Sequence, residues 1–271
     1  MITCNLVGGL GNQLFQIAAG LNVGKIYHRE VIYSPALLMS SRIRNVTPRN
    51  FESHSFLKNE EIGQIRFLPE RLKVTGTLFR RSLVKETDLF DTSIERVTPE
   101  THYLMGYFQR FSTVTAVTEE LLNRFAIVSE TLPTDNSNLS EALAVHIRCG
   151  DYRTNAHTKK FHGLTAMSYY LDGISRLTQR ADYSNIVIFS DEPNFAMNEF
   201  LQHYSGPLVV RTADYAESPI SDLLAMSSAK GLVMSNSTFS WWAAWLGGQK
   251  QALNVIAPCP WFAQESAAED Q

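Results

Sequence analysis

The chain has 271 residues, 44% of them hydrophobic and 19% charged, enough apolar material for two cores of about 100–150 residues each and incompatible with global disorder. A formal net charge of −3 gives no general attraction for nucleic acid or an anionic membrane, so any phosphate must be held by local groups. The cysteines, Cys4, Cys149 and Cys259, are odd in number and far apart, which argues against a disulfide framework or a structural zinc site and fits a reducing compartment.

Met1 to Leu10 lacks the basic start and long apolar core of a signal peptide. No apolar run reaches the ~20 residues of a membrane span. The expectation is a cytoplasmic protein without a transmembrane segment, associated with membranes at most peripherally.

In chain order, Thr3 to Val7 reads as a strand, Gly8 to Asn12 as a glycine turn, Gln13 to Tyr27 as a helix and Val31 to Tyr33 as a second strand. Asn45 to Arg71 reads as short helices and loops. His102 to Phe108 is a predicted strand and Thr113 to Phe125 a predicted helix. The polar stretch Thr131 to Ser140 is a linker between two domains.

The second half alternates regularly. Strands are expected at Leu143–Ile147, Ile186–Phe189, Leu208–Arg211, Gly231–Met234 and Leu253–Ala257. The intervening helices are Ala166–Arg180, Asn194–His203, Ile220–Ser227 and Phe239–Gly247. Such alternation predicts a parallel sheet covered by helices, with ligands at the carboxyl ends of its strands.

Four motifs fall at the carboxyl ends of predicted strands, one in the first half and three in the second. In Gly8-Gly9-Leu10-Gly11-Asn12-Gln13, glycines between strand and helix let backbone N–H groups approach an anion, although a tight turn would need them equally. A dinucleotide fingerprint would want glycine at Leu14. In His146-Ile147-Arg148-Cys149-Gly150-Asp151, strand alternation aims His146 and Arg148 the same way, and the arginine fork matches phosphate oxygens. An ion pair of Arg148 with Asp151 that merely holds the turn is the alternative. Asp191, in Ser190-Asp191-Glu192, serves either a ribose or guanine edge or a helix N-cap. Ser235-Asn236-Ser237-Thr238-Phe239-Ser240 gathers hydroxyls at a helix start, a phosphate cradle without lysine, with capping as the simpler reading. No D-x-D pair, H-E-x-x-H or G-x-S-x-G occurs, so a metal-free donor site is expected to rely on Arg, N–H groups and helix termini.

Taken together, G-G-L-G-N-Q-L-F-Q, H-I-R-C-G-D-Y and S-N-S-T-F-S-W-W-A-A-W-L resemble the family 11 glycosyltransferases, α-1,2-fucosyltransferases that use GDP-fucose. Gly106 to Gln109, His162-Gly163, Tyr169-Tyr170 and Asp222 to Ser227 are lesser matches. The resemblance implies an α/β fold of two facing Rossmann-like domains, the GT-B type. Residues 1–130 would form the mainly acceptor-side domain and 141–271 the nucleotide-sugar domain. It places His146 and Asp191 near guanine and ribose, Arg148 at the β-phosphate, and Asn236, Ser237, Thr238 and Ser240 around the diphosphate. Gly9, Leu10, Gly11 and Gln13 would close over the cleft, with Asn12 near the reacting sugar. Asp151 and His162 are the candidate bases.

The chain departs from the family pattern at Cys149, usually Arg, and at Gly231, often His. The implied reaction transfers L-fucose from GDP-fucose to the 2-hydroxyl of a terminal galactose in a glycan, with inversion and no cofactor or metal. The competing readings are a transferase using another GDP-sugar, a nicotinamide-dependent Rossmann oxidoreductase and a non-catalytic carbohydrate-binding protein.

Overall fold

A computed structural model describes residues 1–38, 49–63, 83–85, 93–132, 139–149, 165–213, 218–259 and 261. The chain divides into two units, Met1–Thr131 and Leu132–Gln271. Among the described residues no helix is long and apolar enough to cross a membrane.

In the first unit, β1 (Ile2–Asn5) leads through the glycine turn into α1 (Leu10–Tyr27) and β2 (Val31–Ser34). Ile2 and Cys4 are fully buried and Thr3 nearly so, as a strand covered on both faces requires. Burial pushes the Cys4 thiol up to about 12. A Cβ at Gly20 would lie 2.7 Å from the Tyr33 ring, so glycine there lets α1 lie close on β2. After β3 (Leu83–Lys85) and β4 (Tyr103–Met105), the four parallel strands stand in the order β2-β1-β4-β3. Strand order therefore reverses between β1 and β4, whose ends carry Gly8-Gly9 and Gly106. The buried Gln16 amide joins these two ends, donating to Val7 O and Gly106 O and accepting from Val7 N–H.

Sequence and structure differ in three places here. Strand β3 was not foreseen. The strand expected to reach Phe108 ends at Met105, because Phe108 turns into the left-handed region at φ 53°. The single helix expected from Thr113 is two, α2 (Phe111–Thr115) and α3 (Thr118–Thr131). The β-branched run Thr113-Val114-Thr115, Val117, Thr118 is a poor helix interior, and Thr118 Oγ1 bonds back to Val114 O and Thr115 O at the break. Arg124 of α3 holds the segment following β2 through two bonds to Glu61, 2.6 and 2.8 Å.

The second unit contains β5 (Leu143–Ile147), α4 (Met167–Thr178), β6 (Ile186–Ser190), α5 (Pro193–His203), β7 (Val210–Thr212), α6 (Pro219–Ser227), β8 (Gly231–Val233), α7 (Thr238–Lys250) and β9 (Asn254–Ile256). All pairings are parallel and the order is β7-β6-β5-β8-β9. This doubly wound sheet reverses between β5 and β8, and in sheets of this kind ligands bind at the carboxyl ends beside such a reversal. Leu143, Val145, Ile186, Ile188, Phe200 and Val233 are buried in one cluster, each contributing about 1.5–3 kcal/mol by leaving water. Trp242 is fully buried and Trp245 nearly so, so these tryptophans are core.

Candidate active site

Arg148 follows β5 directly. Its Nη1 lies 2.9 Å from Asp191 Oδ2, at the end of the neighbouring β6, and Cys149 N–H donates to Asp191 Oδ1 at 2.9 Å. One carboxylate thus grips two consecutive residues leaving β5. Asp191 holds the guanidinium; Asp151, the alternative partner of Arg148, and His162 lie outside the described residues. Asp191, expected at a ribose or guanine edge, has both oxygens on the β5 end. The Arg148 side chain remains about a fifth exposed at 21%. Cys149 is buried and receives a long contact from Ser190 Oγ at 3.8 Å.

Across the strand-order reversal, Ser235 Oγ and His146 Nδ1 share a 2.9 Å hydrogen bond. His146 is nearly inaccessible and stacks obliquely on Phe239. Burial, then the Arg148 charge, lowers its pKa to about 3, so the ring is neutral near pH 7. His146 thereby fixes the β8 end relative to β5. Its partner Ser235 opens the hydroxyl-rich motif, where sequence alone assigned it no role of its own.

The start of α7 is braced from several directions. Ser237 Oγ accepts from Phe239 N–H at 3.3 Å as the N-cap, and Ser240 Oγ donates to Ser235 O and Ser237 O, both 3.1 Å. Thr165 Oγ1 donates to Asn236 Oδ1, Asn236 Nδ2 donates to Trp261 O, and Tyr169 OH reaches Met234 O and Ile256 O at 2.8 and 3.1 Å. The Ser237 and Ser240 hydroxyls therefore shape the turn. What they aim outward is the positive end of a 13-residue helix, with half-buried Thr238 in its first position.

The same carboxyl edge receives the first turn of α6, because helix starts follow strand ends in a parallel sheet. Asp222 lies there, its Oδ1 buried with no hydrogen-bond partner and its pKa pushed up to about 7 by burial. Sequence reading gave it no role; an acid near a helix start is ordinary, and only burial makes this one unusual.

In the first unit, Gly8 has φ +78°, a conformation suited to glycine, and a Cβ there would lie 2.5 Å from Asn12 Nδ2. The first N–H of α1, that of Leu10, donates to Glu52 Oε2 at 2.7 Å. The turn expected to approach a ligand anion with Gly9, Leu10 and Gly11 thus holds a carboxylate of its own chain. The Gln13 side chain is likewise engaged internally, donating to Gly8 O and Asn50 O and accepting from Ser53 N–H. Its place is that of a brace. Asn12 is half-buried, and Gln109 Nε2 donates to its Oδ1 at 2.8 Å.

An α/β chain with two parallel Rossmann-like sheets, carrying an arginine and a helix start at the reversal of the second, has the architecture of a GT-B-type glycosyltransferase. The chain belongs to glycosyl transferase family 11, whose model matches residues 1–271, and this sets aside the nicotinamide oxidoreductase reading. It is 29% identical to the O-antigen biosynthesis glycosyltransferase WbnK of Escherichia coli, over 97% of this chain and 95% of the relative. It is 27% identical to an α-1,2-colitosyltransferase of Escherichia coli, over 98% and 93%. Its fold is similar to a crystal structure of the Bradyrhizobium NodZ α-1,6-fucosyltransferase soaked with GDP-fucose, with a TM-score of 0.50, 11% identity and coverage of 90% and 91%.

Proposed function

We propose that this glycosyltransferase moves L-fucose from GDP-fucose to the 2-hydroxyl of a terminal galactose, with inversion and without a metal ion. The observation that carries the reading is Arg148, pinned by Asp191 at the carboxyl end of β5, where the sheet order reverses and α7 begins across from it. As the sugar C1–O bond to the β-phosphate lengthens, negative charge grows on the departing GDP. Arg148 and the α7 N-terminus are the groups that stabilise it. The absence of D-x-D from the sequence supports assigning this work to them.

Asp222 is the proposed acceptor for the N1–H and amino group of guanine, which would give its Oδ1 a partner. His146, neutral and bound to Ser235, keeps the β5 and β8 ends in register. The acceptor oxygen forms its bond to C1 from the opposite face, and its proton passes to a base. Asp151 and His162 are the proposed candidates for that base. Asn12 is assigned to the reacting groups as a hydrogen-bonding amide.

A second donor is favoured by one observation, the 27% identity to an α-1,2-colitosyltransferase. Colitose is the 3-deoxy form of fucose, so the two readings differ by one sugar hydroxyl. Incubating the protein with a panel of nucleotide sugars and β-galactoside acceptors, with products read by mass, tests the reading. Transfer from GDP-fucose supports it, and transfer only from a UDP- or dTDP-sugar overturns it.

A further inference from the structure

We infer that Tyr169 is a positioning residue: its hydroxyl fixes the last carbonyls of β8 and β9 and so sets where the α7 N-terminus stands for the departing diphosphate. The inference rests on the proposed role of the α7 start and adds to it the side chain that holds that start in place.

Both pairings of β8, to β5 and to β9, end at Val233. One backbone bond carries on past them, from Met234 N–H to Ile256 O at 3.0 Å. The chain then enters Ser235-Asn236-Ser237, the turn that opens α7. Met234 is buried, and a buried carbonyl at the end of a strand needs a donor from elsewhere. Tyr169 OH is that donor, 2.8 Å from Met234 O, and the same hydroxyl lies 3.1 Å from Ile256 O. Burial pushes the phenol above its ordinary pKa, so it keeps the proton it donates.

The reach of Tyr169 depends on a glycine. Gly173 follows it by four residues and lies on the same face of α4. A Cβ at Gly173 would stand 2.9 Å from Val233 Cγ1 and 3.3 Å from Ile256 Cγ2. Its absence lets α4 lie directly on the ends of β8 and β9, and one turn earlier the phenol meets their carbonyls. Thr165, just ahead of α4, adds a second tie to the same turn by donating to Asn236 Oδ1 at 3.3 Å.

The other side of the turn is held differently. Val145 packs with Tyr170 and Ile174 in the cluster under α4, so strand alternation sends His146 to the opposite face. There His146 holds Ser235 Oγ, and Ser240 Oγ donates to Ser235 O. The approach to α7 is therefore clamped from both faces of the sheet, and Tyr169 is the clamp that belongs to α4.

The test compares GDP with guanosine on the parent and on Tyr169→Phe. Calorimetric titration gives the GDP affinity, and displacement of GDP by guanosine gives the nucleoside affinity. Their ratio reads the diphosphate alone. Tyr169→Phe keeps the ring and removes the hydroxyl. It should lower the ratio by about fivefold, the scale of a displaced helix terminus, with guanosine affinity unchanged and Tm only about 2–4 °C below the parent. Loss of a merely structural bond would lower Tm and leave the ratio where it was. Gly173→Ala keeps the hydroxyl but moves α4 off β8, so it should lower the ratio in the same way, and it carries the test if Tyr169→Phe is not recovered folded. A parental ratio in either folded variant overturns the positioning role alone. A parent that binds GDP no more tightly than guanosine overturns the proposed diphosphate role of α7, and the inference with it.

Discussion

Asp191 holds Arg148 and Cys149 together, its Oδ2 2.9 Å from Arg148 Nη1 and its Oδ1 receiving Cys149 N–H at 2.9 Å. The guanidinium is thus oriented before any ligand arrives, by a carboxylate on the neighbouring strand. A pre-oriented cation needs little reorganisation when charge develops on a leaving group.

Arg148→Ala should therefore lower kcat by about 10²–10³, roughly 3–4 kcal/mol of transition-state stabilisation. Arg148→Lys should recover little, since an ammonium lacks the planar fork. Asp191→Asn keeps the shape but places an amide against the guanidinium, and a smaller kcat loss with a modest change in KM is expected. Steady-state kinetics on folded proteins checks this. An Arg148→Ala kcat within about tenfold of the parent means the group is misassigned.

The proposed guanine contact of Asp222 predicts that donor binding depends on pH. Its folded pKa is raised to about 7, so protonated Asp222 dominates below that pH in the unliganded protein. If its carboxylate accepts from guanine, GDP binds the deprotonated form. Affinity should then be full above about pH 7 and weaken as pH falls, approaching tenfold per unit well below it. Calorimetric titration of GDP from pH 5 to 8 reads this, and Asp222→Asn should flatten the profile. A parent profile already flat would remove Asp222 from the base site.

His146 sets a pH trend in stability. Its folded pKa is lowered to about 3 from an ordinary 6.5, by burial first and Arg148 second. The unfolded chain binds the proton more readily, so this contribution is full above about pH 6.5 and is lost as pH falls toward 3. Asp222 behaves in reverse, contributing below its ordinary range and losing that contribution as pH rises through about 7. The parent curve mixes the two. The difference in unfolding free energy between parent and His146→Gln should grow from pH 4 to 6.5, and a constant difference would contradict a buried neutral ring.

The alternating second half was legible because parallel strands buried on both faces read as short apolar runs, such as Leu143 to Ile147 and Ile186 to Phe189. Strand β3 was not, because three residues carry no period. At the site, strand alternation pointed to Arg148. Its partner did not emerge, since Asp191 stands 42 residues beyond Cys149 and meets Arg148 only through the pairing of β5 with β6. Glu52 on Leu10 N–H is the same case, also separated by 42 residues. Asp222 carried no assigned role in the sequence because its distinction is burial, a property of the packed fold.

Asp151→Asn and His162→Ala separate a base from a binder. The base should lose kcat by about 10²–10⁴ with its pH–rate limb abolished, and a binder should chiefly raise acceptor KM. If both keep near-parental kcat, neither residue takes the proton.

The proposed transfer is tested most directly by NMR of the product formed from GDP-fucose and a β-galactoside in excess EDTA. The predicted result is an α-L-fucosyl residue on O2 of galactose, with one GDP released per linkage and a rate unchanged by added Mg²⁺ or Mn²⁺. Linkage to another hydroxyl, retention of the donor's β configuration, or turnover abolished by EDTA and restored by either ion would contradict it.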